Sequence, residues 1–311
     1  VEFVQGAQLA NFIESHPLEL KLIFWMMLAG LAVKAAIFPV HGWLPVAMVA
    51  PAPVSALLHA VAVVKAGAFG IIRLIYDVYG VELAMELSVL PPLAFLAAFT
   101  IIYGSLRAIA QDDLKKRLAF STVSQLSYIA LGAAVPGMLS SVGAIVHLVH
   151  QGIMKITLFF CAGVIAETTG VSKVSELNGI GRRLPLTMAA FTIGAFGMIG
   201  LPPVAGFISK WYLSVGAFSG GHPWVVFILL GSSALNAIYF LPIIYAAWFK
   251  EPPTEGWPDK RPNRRFEAPW MLLFPPLITA IFSLVAGLLA ASSWSPLSLA
   301  RQIVERVYFS L

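Results

Sequence analysis

Charge is what this sequence has least of. Only 11% of its 311 residues are charged, while 59% are apolar. Soluble globular chains carry about 25% charged and about 45–50% apolar residues. A water-soluble fold cannot hide that much apolar surface, and disorder is excluded with it. Cysteine is nearly absent. Cys161 stands alone, so no intrachain disulfide exists, and in its apolar run it reads as an inert core residue. No Gly-rich loop opens a helix after a strand, which leaves nucleotide binding without support. No basic stretch and cleavage site flank an early apolar core, so no run resembles a signal peptide. The formal charge of +5 is not a nucleic-acid patch, because four of the lysines sit inside apolar segments. What remains is an all-α, polytopic membrane protein.

A spanning helix needs about 20 mostly apolar residues. Eight stretches qualify: 22–41, 54–76, 87–109, 118–135, 139–166, 184–218, 223–249 and 269–292. Residues 1–19 read as a non-membrane segment. With Val at position 1 and an acidic lead-in, the chain reads as a fragment, or as a gene beginning inside a larger ancestor. Loop charge sets the orientation. Arg107, Lys115, Lys116 and Arg117 follow the third span, and Lys173, Arg182 and Arg183 follow the fifth. Lys250, Lys260, Arg261, Arg264 and Arg265 follow the seventh, whereas the opposite side keeps Lys21, Arg73, Arg301 and Arg306. With simple alternation the three basic loops share one face, and the positive-inside rule makes that face cytoplasmic. Both termini are then outside.

Two spans carry helix breakers. Pro39 lies five residues after Lys34, and Gly200, Pro202, Pro203 and Gly206 interrupt a sixth span too long for one straight crossing. Proline removes a backbone donor and glycine loosens the helix. In lipid the freed groups survive only where protein or water satisfies them, so such breaks point to a transport site. Pro242, alone, reads as an ordinary membrane-helix proline.

The informative residues are charges where charges do not belong. Lys34, Lys65, Lys155 and Lys210 fall within apolar spans, as do His59, His147 and His150. A lysine at the bilayer centre costs about 2.5–3.5 kcal/mol on insertion scales. Burial also disfavours the charged amine, bringing its two protonation states closer together. Histidine titrates near neutrality already. Lys210, beside Trp211 and Tyr212, has snorkelling to the interface as its alternative reading. His147 and His150 have hydrogen bonding between helices as theirs. His41 and His222 sit at span edges. No mid-membrane acid offers Lys34 a partner. His147 and His150 share a helical face, but no carboxylate or cysteine completes a metal set, so no metal or catalytic site is expected.

At these residues the chain becomes recognisable. The stretch AVKAAIFPVHGWLPVAMVAPAPVSALLHAVAVVKAG (32–67) resembles the antiporter-like, proton-translocating membrane subunits of respiratory complex I, membrane-bound hydrogenases and Mrp-type Na+/H+ antiporters. DDLKKRLAFSTVSQLSYI (112–129), HLVHQGIMKITLFFCAG (147–163), LNGIGRRLP (177–185) and GLPPVAGFISKWYL (200–213) follow in the family's order. Within the family, HQGIMK and Lys65 look closer to Mrp-type and hydrogenase-associated members than to the largest complex I subunit.

The resemblance implies fourteen helices built from two inverted five-helix repeats, of which the eight spans match helices seven to fourteen. Residues 20–80 would be the last two helices of the first repeat and 84–250 the complete second repeat. Residues 251–268 would be a cytoplasmic loop, and 269–311 the final helix with an amphipathic tail. Lys34 then matches the lysine on the first broken helix, and Lys65, with His59 before it, the bridging position. Lys155 matches the centre of the second repeat, Lys210 its terminal residue, and His147 and His150 weaker relay positions. The implied function is proton translocation, with Na+/H+ antiport as a variant, in a multisubunit complex of the inner membrane. No cofactor is implied for this chain, since nothing resembles a quinone, flavin or iron–sulfur site. The implied partners are other membrane subunits, including helices that bring an acid to Lys34, together with the lipid bilayer and the transported ions. The competing class is a truncated, non-conducting scaffold. An integral membrane enzyme acting on lipid or quinone finds no catalytic set.

Overall fold

The structure is a computed structural model that describes residues 16–254, 256–257 and 267–309. The described residues form helices and connecting turns, without a strand beyond one isolated bridge, Asp113 to Lys173. Eleven helices frame the described residues. They are α1 (Pro17–Ala35), α2 (Ala52–Ala60), α3 (Val63–Arg73), α4 (Leu90–Ile109), α5 (Leu114–Ala134) and α6 (Met138–Thr169). Then come α7 (Pro185–Ile199), α8 (Ala205–Ser219), α9 (Pro223–Phe249), α10 (Trp270–Leu288) and α11 (Pro296–Ile303). Short helical turns fill several of the gaps between them.

Helix starts follow local chemistry. Proline occupies the first helical position of α1, α7 and α9, where no amide partner is needed. Asp113 caps α5 by accepting the Lys116 amide at 2.8 Å, and Ser295 caps α11 by accepting that of Ser298 at 3.0 Å. The long helix α6 is the hub, packing against α2, α5, α7, α8, α10 and α11. Its buried face carries His147, His150, Gln151 and Lys155.

Among the described residues, five helices are long and apolar enough to cross a membrane: Ala52–Tyr79, Leu90–Ile109, Met138–Thr169, Pro223–Phe249 and Trp270–Leu288. The other three expected spans are present as helices of a different make. α1 carries Glu19, Lys21 and Lys34, α5 opens on Lys115, Lys116 and Arg117, and the sixth span is two half-helices, α7 and α8.

Both breaks contain expected residues, Pro39 in the first and Gly200, Pro202 and Pro203 in the second, with Gly206 the exception. The first span ends at Ala35 rather than 41. Ala36 turns left-handed (φ 54°), three residues ahead of Pro39, and Ile37 donates back to the Ala32 carbonyl. In the sixth span Gly200 (φ 94°) ends α7 and Pro202 and Pro203 occupy the gap, but Gly206 already belongs to the first turn of α8. A third break has no counterpart in the sequence reading. The 54–76 span is interrupted at Val61–Ala62, whose amides both return to the Leu57 carbonyl. No glycine or proline marks it.

Three connections meet at one end of the molecule. Val174 donates to Asp112 and Leu114 to Ser172, tying the loop after α4 to the loop after α6. The Glu267 carboxylate accepts the Leu186 and Thr187 amides, and the Trp257 indole donates to the Glu176 carbonyl. The basic clusters after the third and fifth spans therefore share a face with the segment leading into α10. Lys260, Arg261, Arg264 and Arg265, like residues 1–15, lie outside the described residues.

Candidate functional site

The site is a row of polar side chains sealed between α2, α3, α5, α6, α8 and α9. His59, His147, His150 and Lys155 have no exposed surface, and Lys65 and Lys210 retain only 8% and 7%. Lys210 is buried, and the alternative of snorkelling to the interface is not taken. Its amine turns inward to the C-terminal end of α7, donating to the Met198 and Ile199 carbonyls (both 2.9 Å) and to Ser233 Oγ (3.0 Å). Those carbonyls are among the last four of a helix, which have no partner inside it and carry the negative end of its dipole. The break after Ile199 therefore makes a seat for a cation, and Lys210 fills it. The ring of Tyr128 lies beneath the ammonium at 5.2 Å.

Tyr128 also stacks on His147 (ring centroids 5.3 Å), whose Nδ1 meets Ser209 Oγ at 2.8 Å. Deeper in, Lys155 donates to the Leu118 carbonyl (3.1 Å) and to Ser121 Oγ (2.7 Å). Lys65 follows closely on the Val61–Ala62 break, and among the described residues its amine meets no hydrogen-bond partner. It sits at the base of a groove of about 580 Å³ between α2, α3 and α6. Lys65 is close enough to act electrostatically on His147, His150 and Lys155; Lys155 acts so on His59, and Lys210 on His147. The six interior residues expected from sequence thus form one connected set.

Lys34 stands apart. It lies exposed on the last turn of α1, while Gly67 of α3 packs so close to that turn that a side chain there would meet the Ala35 Cα at 2.9 Å. His41 is not a peripheral residue. It is buried, stacked on Phe38 (5.7 Å) and edge-on to Tyr103 (5.0 Å).

Sequence reading missed the neutral members. Among the described residues, Gln125 and Gln151 are buried without a close hydrogen-bond partner, as are both nitrogens of His59 and His150, while the Tyr128 hydroxyl faces Ser232, Ser233 and Gln125. Ser121, Tyr239 and Asn236 link the two lysines. Tyr239 Oη is 2.8 Å from Ser121 Oγ and 2.5 Å from Asn236 Oδ1, and Asn236 Nδ2 donates to the Met198 carbonyl at 2.9 Å. Only the run of Ser232, Ser233, Asn236 and Tyr239 in a largely apolar helix hinted at them.

Known proteins share this architecture. The profile of the family described as NADH:quinone oxidoreductase/Mrp antiporter, TM, matches residues 3–236. NADH-quinone oxidoreductase subunit N of Desulforudis audaxviator is 43% identical over 288 residues, covering 90% of this chain and 56% of that protein. A component of the Na(+)/H(+) antiporter of Bacillus subtilis is 33% identical over 298 residues, covering 89% and 36%. Among solved structures, a chain of the Mrp complex from Dietzia sp. superposes with a TM-score of 0.82 at 25% identity, covering 92% of this chain and 59% of that one. Respiratory complex I from Thermus thermophilus gives 0.75 at 25% identity, covering 92% and 58%. The chain spans about half the length, or less, of the curated relatives it matches.

Proposed function

The chain belongs to the NADH:quinone oxidoreductase/Mrp antiporter transmembrane family, and from that premise we propose that it moves protons across a cell membrane as part of a multisubunit complex. The observation that carries the reading is the sealed row of ionisable groups, Lys65, His59, His150, His147, Lys155 and Lys210, running from one helix break to the other. A purely structural bundle has no use for six such groups, given what each costs in lipid. Neighbouring amines whose charged and neutral forms lie close in energy pass charge laterally, because a proton on one disfavours a proton on the next. The unpartnered Gln125, Gln151, His59 and His150 are groups that water would bridge.

In this reading residues 20–80 end a first repeat, 84–250 form a second, and 269–311 supply a final helix and interfacial tail. Pro39, Gly200, Pro202, Pro203 and Gly206 keep the broken segments open to water. Lys34 receives its partner acid from a neighbouring helix. The basic loops face the cytoplasm of an inner membrane. The Na(+)/H(+) antiporter among the relatives makes Na+ the candidate counter-ion. The test is proton flux in vesicles reconstituted with the complex, with and without this chain. Flux that depends on it is expected. Equal flux in both, with the complex intact, makes it a scaffold instead.

A further inference from the structure

Every group that holds the Lys210 amine is neutral. The Met198 and Ile199 carbonyls stand at 2.9 Å and Ser233 Oγ at 3.0 Å, with the Tyr128 ring face at 5.2 Å. Among the described residues Lys210 makes no ion pair. Its charge is met by carbonyl dipoles at the end of α7, by a hydroxyl and by a π face. None of these is specific to an ammonium. Free carbonyls at the C-terminal end of a half-helix inside a membrane are also what coordinates Na+ in ion-coupled carriers. Divalent and transition metals ask for carboxylate, thiolate or imidazole sets. Among the described residues no group of three or more His, Cys, Asp or Glu could hold a metal ion. An alkali cation carries the same single charge as the ammonium and asks only for neutral oxygens.

We infer that this seat is an alkali-cation site, in which a Na+ or K+ ion and the Lys210 proton exclude each other. The inference rests on the transport reading above and gives the counter-ion a place. Met198 O, Ile199 O and Ser233 Oγ are the oxygen ligands. The Lys210 amine, after losing a proton, turns its lone pair to the same ion, and water completes the shell. In the exchange, R–NH3+ and M+ become R–NH2···M+ and H+. One N–H bond breaks, its electron pair stays on nitrogen and faces the ion, and the proton leaves through the relay, whose neighbouring member is His147. The seat is singly positive before and after. Neighbouring groups therefore feel the same charge whichever cation is present, and the exchange is one for one.

The break itself lets an ion reach the seat. Gly200 puts no side chain over the amine, where a Cβ would lie 2.7 Å from Lys210 Cδ and 3.5 Å from Nζ. Leu201, Pro202 and Pro203, which follow it, are exposed. The ionisable groups packed around the seat are few. α5 brings Tyr128, and α6 brings His147 and His150, with Lys65 of α3 acting on both histidines. α9 brings Tyr239 through Asn236, α11 brings Arg301 to Tyr212 of α8, and α7 and α10 carry no ionisable residue. No carboxylate is among them, so the proton that competes with the ion belongs to the Lys210 amine.

The experiment uses the intact, solubilised complex with Lys210→Met and Ser233→Ala variants. It measures equilibrium binding of radioactive sodium and rubidium ions, rubidium standing in for K+, from mildly acidic to alkaline pH. It also measures the protons released when NaCl or KCl is added to a weakly buffered sample. The wild type is expected to bind one of the two ions more tightly as the medium becomes alkaline, releasing about one proton per ion bound at this seat. Lys210→Met keeps an unbranched side chain and all three oxygens but has no proton to exchange. It is expected to lose both this proton release and the pH dependence of binding. Ser233→Ala removes one ligand and keeps the amine, and is expected to weaken binding at least about tenfold while still releasing the proton at saturating ion. A lysine that only caps α7 would give none of these effects. Binding and proton release that are the same in the wild type and Lys210→Met overturn the inference. If Lys210→Met fails to assemble, unchanged affinity in Ser233→Ala overturns it. A wild-type complex that carries protons in vesicles but binds neither ion at any pH overturns it too, leaving the transport reading intact. Proton flux that does not depend on this chain overturns the transport reading itself.

Discussion

Replacing Lys155 with alanine separates transport from structure at the scale of one residue. The Leu118 carbonyl it touches also accepts the Thr122 hydroxyl at 2.9 Å, and Ser121 keeps Tyr239 as a partner. No buried polar group is therefore left stranded, and removing the amine relieves an insertion cost of about 2.5–3.5 kcal/mol. Lys155→Ala is expected to assemble at wild-type yield, by gel filtration of the complex, while vesicle proton flux falls at least about tenfold. Unchanged flux would mean that the row of charges is ornamental. The lysines themselves were legible in the sequence, because an ammonium in an apolar run is costly enough to demand a reason. Ser121, Tyr239 and Asn236 were not. Hydroxyls and amides are tolerated on any helix by bonding to their own backbone, and only the assembled bundle reveals that these three bond to one another.

At the scale of elements, the break between α7 and α8 is a device for freeing two carbonyls. Gly200 is essential to it, since its φ of 94° suits glycine and a Cβ there would lie 2.7 Å from the Lys210 Cδ. Gly200→Ala is expected to cost about 1 kcal/mol or more in backbone strain and to push the lysine off Met198 and Ile199. The measurement is a lowered melting temperature of the solubilised complex together with reduced flux; a change in neither would show the seat to be elastic. The Gly-Pro signature made this break legible, whereas Val61–Ala62, with no such residue, gave no sign. A second element-scale feature is the clasp at the basic end. Burial pushes the Asp112 carboxyl up, but the Ser175 amide (3.0 Å) and hydroxyl (2.9 Å), with Lys173 and Arg117 nearby, outweigh it and hold the group below the ordinary aspartate range. A carboxylate depressed in the folded state stabilises above its unfolded pKa, about 4, and that contribution is lost as pH falls through the lower folded value. The protection factor of the Ser175 amide is expected to be constant near neutrality and to fall as the medium is acidified through the lowered folded value of Asp112. Asp112→Asn is expected to show the faster exchange at neutral pH already. Equal protection in the two proteins at neutral pH would remove the clasp from the account.

At the scale of the whole molecule the unbalanced feature is the flank carrying Lys34. The small residues next to it on α1 and its turn, Ala32, Ala35 and Ala36, are buried inward, against the core that includes α3. The outward face of α1 is made of larger apolar side chains, with Met26 74% and Val33 47% exposed, and Gly30 opens on empty space. Lipid alone would suit Met26 and Val33. It does not suit Lys34, which among the described residues makes no ion pair, while its counterparts Lys155 and Lys210 each hold two or more oxygens. A cation at membrane depth needs a carboxylate, a set of carbonyls or water, and the isolated group is too costly to persist otherwise. This chain covers 56% of one matched relative and 36% of another, so such proteins contain further chain that could cover this face. The expected outcome is that, in the intact assembly, a helix from another chain or from preceding sequence packs along Leu22, Met26, Gly30 and Val33 and sets an Asp or Glu within ion-pair distance of Lys34. Cross-linking from a cysteine introduced at Met26 should then capture a membrane helix rather than lipid. A structure of the assembly with lipid alone on this face, and no acid near Lys34, would take Lys34 out of the proposed relay and turn the balance towards a scaffold that has kept its lysines without conducting through them.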